Sequence, residues 1–399
     1  MQVNQIASLM NTVTSEVLGE GVVAQEDLSN LVDIGNQFNN LQGNQYENYV
    51  KSLIDHIGRV VFVNRPYAGS APSVLMDSWE YGSILEKITA AMPEATENQS
   101  WNLTDGQVYE QDQFTKPSVS AKFYDMLTTF EIPMSFAEMQ SRSAFDNATQ
   151  LNAFMSMIET SIYNSLTVKT DSVIMRTINN AIAQTMYATF GDENAYSEGS
   201  GVKAVNLLWL YNEAHPTDIL PDLETAMMNG RFIRFCSYTM GMYVGRMRKI
   251  SKLFNIGGQP RFTPSDRLHF VMLDAFAAAA DVYNQSDTFH NNFTALPNAE
   301  LVPFWQGSGT SYDMNSISSI NVTIPTTNGD KDLVINGIIG IMFDRDALGV
   351  CNKNSRVTTH YNARAEFFNS WYKTDSMQFW DSNENTVIWY AADTDHSVD

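Results

Sequence analysis

Cysteine is almost absent from this sequence, because Cys236 and Cys351 are the only two among 399 residues. Two thiols so far apart cannot build a disulfide framework, so the sequence predicts a protein of a reducing compartment, held together by its core. Cys236 lies in an apolar run and is interpreted as a core residue, whereas Cys351 follows a turn and could be exposed. Neither has an adjacent histidine, which argues against a cysteine nucleophile.

Long hydrophobic runs are also missing. The most apolar stretch, residues 271–280, is too short to cross a bilayer and contains Asp274. Residues 1–10 lack a charged segment followed by an apolar run, so no secretory signal is visible. These absences predict a soluble protein without a membrane partner.

Positive charge is scarce, with 24 Lys and Arg against 45 Asp and Glu, a formal net charge of -21. This excludes a protein whose whole surface follows nucleic-acid phosphates.

Residues 231–267 are the exception, with eight basic residues and the single acid Asp266, while residues 1–140 hold 18 acids and 6 bases. This complementarity favours an intersubunit contact; a solvated basic helix face and contact with nucleic acid remain alternatives. The predicted contact residues are Arg246, Arg248, Lys249 and Lys252.

Recognisable catalytic or metal-binding spacings are absent as well. The six histidines are scattered, with no pair four residues apart, so no metal site is predicted. The glycines of Gly241–Gly245 fall in a helical pattern and lack the Lys-Ser/Thr that ends a phosphate-binding loop. Asp344 and Asp346 could form a carboxylate pair, but a charged turn between strands explains them more simply. We therefore predict no enzyme activity and no cofactor.

The chain does have a strong apolar pattern, with 44% hydrophobic and 12% aromatic residues, which excludes disorder over most of its length. No proline occurs between Pro133 and Pro216, and apolar residues recur at gaps of three and four through residues 146–186. This spacing predicts a helix of about 38 residues, roughly 57 Å long. The β-branched residues 167–170 could interrupt it.

Residues 66–117 have a different texture, rich in Ser, Gly, Asn, Gln and Pro, without a sustained period. A disordered linker is one interpretation, but linkers seldom carry several Trp and Tyr residues. We favour an extended hairpin arm that is ordered by contact with another subunit, with residues 119–136 as its return limb. The predicted contact residues in the arm are the isolated aromatics Trp79, Tyr81, Trp101 and Tyr109.

Beyond Gly201, strand and helix patterns alternate. The predicted elements are a strand at 204–210, a helix at 221–229, a strand at 232–236, a helix at 239–254, a strand or helix at 268–273 and a helix at 275–282. Strand patterns return from residue 333, and residues 377–390 are expected to form a hairpin. The fold class is α+β.

Three stretches carry a resemblance to a known family: IDHIGRVVF at Ile54–Phe62, GIIGIMFDRDALG at Gly337–Gly349 and YNARAEFFNSW at Tyr361–Trp371. In these stretches and in the order of its elements, the chain resembles the major capsid proteins of tailed bacteriophages, which share the Hong Kong 97 fold. It looks nearest to those of small short-tailed phages. The resemblance implies an N-terminal arm (1–58), a strand with an extended E-loop and return strand (59–136), a spine helix with part of the P-domain (137–200), a mainly A-domain region (201–332) and C-terminal strands completing the A- and P-domains (333–399).

This resemblance implies a structural protein that self-assembles into pentamers and hexamers of an icosahedral capsid around a double-stranded DNA genome. The implied partners are other copies of the chain, a portal protein and packaged DNA, which is contacted on the inner side without sequence specificity. The N-terminal arm begins almost at once, so a separate scaffolding protein is expected. The implied location is the virion, after assembly in the host bacterial cytoplasm, and no covalent cross-link is predicted.

Two alternatives belong to other functional classes. An encapsulin-like cellular compartment shell would share the fold but enclose an enzyme. A carbohydrate-binding or hydrolytic protein would use the aromatic and Asn residues of the loop region on a monomer.

Overall fold

The computed structural model describes residues 74–75, 85–93, 95–109, 112, 114, 116–137, 148–191, 196–285, 299–303, 305, 319–326 and 329–392. Within these residues, the strands are β1 Leu85–Ala90, β2 Val119–Tyr124, β3 Leu127–Ala137, β4 Ala204–Asn206, β5 Leu268–Leu273, β6 Ala299–Val302, β7 Ile320–Thr326, β8 Gly329–Ile335, β9 Ile338–Asp344, β10 Leu348–Asn362, β11 Phe367–Trp380 and β12 Thr386–Tyr390. The helices are α1 Ala148–Phe190, α2 Leu207–Ala214, α3 Leu223–Met227, α4 Gly230–Met247 and α5 Asp274–Gln285. The predicted α+β class is confirmed. The predicted patterns in residues 1–58, together with Trp79 and Tyr81, lie outside the described residues.

Helix α1 is 43 residues long, which corresponds to about 65 Å. Its inward face places Ile174, Ile178 and Ile182 in the core at intervals of four residues. The β-branched residues 167–170 do not interrupt it, so the predicted long helix is confirmed. The helix ends at Gly191, whose positive φ of 75° and N–H bond to the Tyr187 carbonyl (2.8 Å) close the last turn.

A five-stranded sheet in the order β4-β12-β9-β5-β6 forms the centre of the body. Every residue of β9 and β12 is buried, as expected for strands that are covered on both faces. Helices α1 and α2 contact β12, while α5 contacts β5 and β6 and also packs against α4. Trp305 is fully buried here and donates its indole N–H to the Ile338 carbonyl (3.1 Å).

Three long antiparallel strands in the order β10-β11-β3 form a second sheet that packs against α1. Side chains of β11 alternate between buried and half-buried over most of its length. Two hairpins complete the described structure, one formed by β7 and β8 and one by β1 and β2. Residues 377–390 do not form the predicted hairpin, because β11 and β12 belong to different sheets.

The predicted strand at 232–236 and helix at 239–254 are wrong, because one helix, α4, spans Gly230–Met247. Asn229 begins it, since its side chain accepts the N–H groups of Arg231 and Phe232. Phe232, Cys236 and Met240 then recur at helical spacing and are buried. The short run of bulky residues suggested a strand, but the three-and-four spacing extends across it.

Asn206 has the same capping role at the start of α2. Its side chain accepts the Trp209 N–H (3.2 Å), so the predicted strand at 204–210 ends after three residues and a helix follows. Cys236 is buried as expected, although in a helix, and Cys351 is also buried, because it lies inside β10 rather than in an exposed turn.

Candidate functional site

The arm loop, which we define as residues 91–118, connects the two strands of the β1–β2 hairpin. Its described side chains are exposed along its whole length. Trp101 is 94% exposed, Val108 86% and Phe114 85%, and Met92 and Leu103 are also exposed. A soluble monomer rarely presents so many large apolar side chains together, so this loop has the composition of a contact surface.

Of the predicted contact aromatics, Trp101 and Tyr109 both lie in the arm loop. Trp101 ends a single 3-10 turn, and the Tyr109 hydroxyl accepts the Thr104 N–H (2.9 Å). Gly106, with φ of 82°, permits the turn between them. The loop backbone is therefore shaped by its own hydrogen bonds, while its large apolar side chains are exposed.

An ion cluster fixes the base of the arm to the body. Asp381 is only 1% exposed, and it pairs with Lys87 of β1 and Lys122 of β2, each at 2.8 Å. The Lys87 ammonium also contacts Glu384 (2.8 Å) and the Asp346 carbonyl (3.1 Å). Because one carboxylate holds both strands, the cluster ties the hairpin to the turn between β11 and β12.

The electrostatics of the cluster favour an ionised Asp381. Burial by itself would raise the pKa of this carboxyl, but hydrogen bonds from Lys122, Lys87 and the Asn383 N–H lower it to about 2. Burial and the nearby charge of Asp381 also raise the pKa of Tyr124. The carboxylate is therefore charged at neutral pH and stabilises the two lysines beside it.

Sequence reasoning missed this cluster, and the strand pairing shows why it is needed. Lys87 and Lys122 are directly opposite each other in the β1–β2 register. Two like charges in that position are destabilising unless an anion lies between them. Asp381 follows Lys122 by 259 positions, so no local pattern in the sequence indicates the pairing.

The basic patch, which we define as Arg246, Arg248, Lys249 and Lys252 with Ile250, Leu253 and Phe262, lies at the end of α4. All four cations are exposed, and none forms an ion pair with another described residue. The three apolar side chains between and beside them are each more than half exposed. The four sequence-predicted basic residues are therefore exposed at and just after the end of α4, close in the chain to exposed apolar side chains.

Hydrogen bonds within the chain give this patch a defined shape. The Thr263 N–H binds the Met247 carbonyl (2.8 Å), and Ser251 and Arg261 exchange two backbone hydrogen bonds (2.9 and 3.0 Å). Phe254 is buried against Tyr243, with ring centroids 5.8 Å apart. The segment after α4 is thus anchored on its inner side and presents its cations outward.

Asp344 and Asp346 form a charged turn rather than an isolated carboxylate pair. Both carboxylates face Arg267, and one Asp344 oxygen accepts the Asp346 N–H (3.0 Å). Within the described residues, no group of three or more His, Cys, Asp or Glu side chains is placed to hold a metal ion. In the same part of the chain, no helix is long and apolar enough to cross a membrane.

Solved structures with a similar fold come from bacteriophages. The capsid structure of Staphylococcus phage Andhra matches with a TM-score of 0.50 and 9% identity, over 82% of this chain and 86% of that chain. A chain from the structure of the head fiber and inner core protein gp22 of native bacteriophage P68 matches with a TM-score of 0.50 and 8% identity, over the same shares. The fold is that of phage capsid proteins, which confirms the expected fold class.

The sequence comparison is more specific. The chain belongs to the Phi29-like phage major capsid protein family, whose model matches residues 10–390. A search of curated proteins finds no significant match. The chain is accordingly a structural protein of a phage capsid, a component of the virion that assembles with copies of itself, and the compartment-shell and carbohydrate alternatives are not favoured.

Proposed function

We propose that the chain builds an icosahedral shell of pentamers and hexamers around a double-stranded DNA genome, and that the arm loop is a principal contact between copies. The observation that carries this proposal is the row of exposed apolar side chains along residues 91–118. Obligate interfaces commonly bury roughly 2,000 Å² or more, and such side chains supply the area. Trp101 and Tyr109 are proposed contact residues, as are Trp79 and Tyr81 from the sequence pattern.

Membership in this family supports the assignment of successive parts of the chain to different structural regions. We assign residues 1–58 to an N-terminal arm, 59–136 to the E-loop region and 137–200 to the spine helix with part of the P-domain. Residues 201–332 would be mainly A-domain, and residues 333–399 would complete the A- and P-domains. The long helix α1 and the β1–β2 hairpin support the second and third assignments.

We also propose three further partners, and membership in a phage capsid family is what supports them. A separate scaffolding protein would guide assembly in the host bacterial cytoplasm, and a portal protein would occupy one vertex. Packaged DNA would touch the inner wall without sequence specificity. The net charge of -21 supports an inner capsid wall that does not bind the genome tightly, because the acidic protein and the DNA phosphates are both negatively charged. In this account the protein acts by geometry, without enzyme activity.

Trp101→Ala is expected to impair assembly while leaving the fold intact. A central aromatic contact contributes about 2 kcal/mol to binding, so each contact should weaken roughly 30-fold. The free energy of unfolding should stay within about 0.5 kcal/mol of the parent value, since Trp101 is 94% exposed. Sedimentation velocity measures assembly, and urea unfolding measures the stability of the unassembled chain.

Met228→Ala is the matched control, because Met228 is also exposed but lies outside the arm loop. It should assemble like the parent protein. Normal assembly of the Trp101 variant, at parental protein concentration and rate, would contradict the proposed role of the arm loop.

A further inference from the structure

We propose that the arm loop of one copy docks onto the basic patch of a neighbouring copy. This inference rests on the proposed function and goes further, because it pairs two particular surfaces. Among the described residues, each surface leaves both apolar and charged side chains exposed, and the chemistry of the two is complementary.

The arm loop supplies acidic and apolar groups together. Residues 91–118 contain five acids and one base, Lys116. Glu97, Asp105 and Asp112 are exposed in the same stretch as Trp101 and Phe114. The loop is therefore a negatively charged surface with apolar anchors.

The basic patch offers the reverse charge with matching apolar groups. Its four cations have no ion pair with a described residue, and Ile250, Leu253 and Phe262 lie among them, exposed. Opposite charges set around apolar contacts fix the register of two partners and reject wrong ones. Such a partner has to bring both acids and apolar side chains, as the arm loop does.

The apolar part of the patch favours protein over nucleic acid as the occupant. Contacts to phosphates use cations and hydrogen-bond donors, and they gain nothing from exposed Leu or Ile side chains. The arm loop also has the right size, because a specific interface uses roughly 20 to 30 residues on each side.

Both surfaces are held in shape before they meet. The ion cluster at Asp381 fixes the base of the arm, and the paired hydrogen bonds of Ser251 and Arg261 fix the patch. Surfaces that are ordered in advance lose less conformational entropy on binding. The described side chains of the arm loop and the four cations of the patch are exposed, so both surfaces are accessible to a partner.

A charge-swap experiment tests this pairing in the full-length protein. One variant carries Glu97→Lys and Asp112→Lys, a second carries Lys249→Glu and Lys252→Glu, and a third carries all four changes. We expect each double variant to raise the protein concentration needed for assembly at least about tenfold, since like charges then meet. The fourfold variant should return to within about threefold of the parent protein.

The control reverses two exposed acids outside the arm loop, Glu224→Lys and Asp281→Lys, and so makes the same change in net charge as the Glu97 and Asp112 variant. It should assemble like the parent protein. Failure of the fourfold variant to recover would overturn the pairing, as would normal assembly of both double variants. Normal assembly of the Lys249 and Lys252 variant with less packaged DNA would overturn it in favour of a nucleic-acid contact. The Trp101→Ala variant tests separately whether the arm loop is a contact between copies, so a failure of the pairing can be distinguished from a failure of the proposed function.

Discussion

Asp381→Asn is expected to lower the free energy of unfolding by about 3 kcal/mol, because removing one partner of a buried charge cluster leaves the others uncompensated. Lys122 would then lose its carboxylate partner while it faces Lys87 across the β1–β2 register, and only Glu384 would remain beside Lys87. Urea unfolding of the unassembled chain measures the loss. Hydrogen exchange should also become faster in β1 and β2, since their tie to the body is cut.

Asp346→Asn is the matched control for this change. Like Asp381, Asp346 forms an ion pair, in this case with Arg267, but both of these side chains are more than two-fifths exposed. An exposed pair contributes about 0.2–1 kcal/mol, so this variant should lose no more than that. Equal losses in the two variants would show that the Asp381 cluster does not anchor the arm.

The pH dependence of stability provides a second signature of Asp381. Its pKa is about 2 in the folded protein, below the ordinary value of 3.8. A carboxyl with a depressed folded pKa contributes stability above its unfolded pKa, and this is lost as the pH falls through the folded pKa. The difference in stability between parent and Asp381→Asn should therefore be constant above about pH 5 and shrink between about pH 4 and 2. A difference that does not change with pH would contradict this assignment.

Gly337→Ala should also be strongly destabilising, by about 3 kcal/mol. Gly337 joins β8 to β9 with a φ of 71°, and a Cβ placed there would lie 1.9 Å from the Ala391 carbonyl oxygen. The Gly337 carbonyl accepts the Ala391 N–H (2.8 Å), so the backbone cannot move away without breaking that bond. Thermal or urea unfolding measures the loss.

Gly245→Ala makes the same chemical change and should have the opposite effect. Gly245 is exposed within α4, and its added methyl group would meet nothing within 4 Å. Alanine in a helix is favoured over glycine by about 1 kcal/mol, so the variant should be slightly more stable.

For the Gly337→Ala variant, a loss of stability as small as that of a surface substitution would show that the approach of Gly337 to Ala391 is not tight.

The sequence predicts the elements that depend on local spacing. Helix α1 is predictable because its apolar residues recur at helical gaps over many turns without a proline. The break between β4 and α2 was missed because one side chain, Asn206, decides it by capping the helix. Helix α4 was divided wrongly because a short apolar run fits either a strand or a buried helix face.

The candidate site shows the same division. The basic residues of the patch are near neighbours in the sequence, so their charge excess is visible there, and the structure shows each of them exposed. The ion cluster joins Lys122 to Asp381, 259 positions away, and depends on which strands pair. In the sequence its members cannot be distinguished from other charged residues, so only the tertiary structure shows that they form ion pairs with one another.

The central claim is that the exposed arm loop is completed by a neighbouring copy in a closed shell. Cryo-electron microscopy of particles assembled from the full-length protein tests it most directly. We predict closed shells in which Trp101 and Phe114 of each copy are buried against another copy. Shells in which residues 91–118 touch no neighbour, or a protein that stays monomeric at high concentration under assembly conditions, would contradict the account.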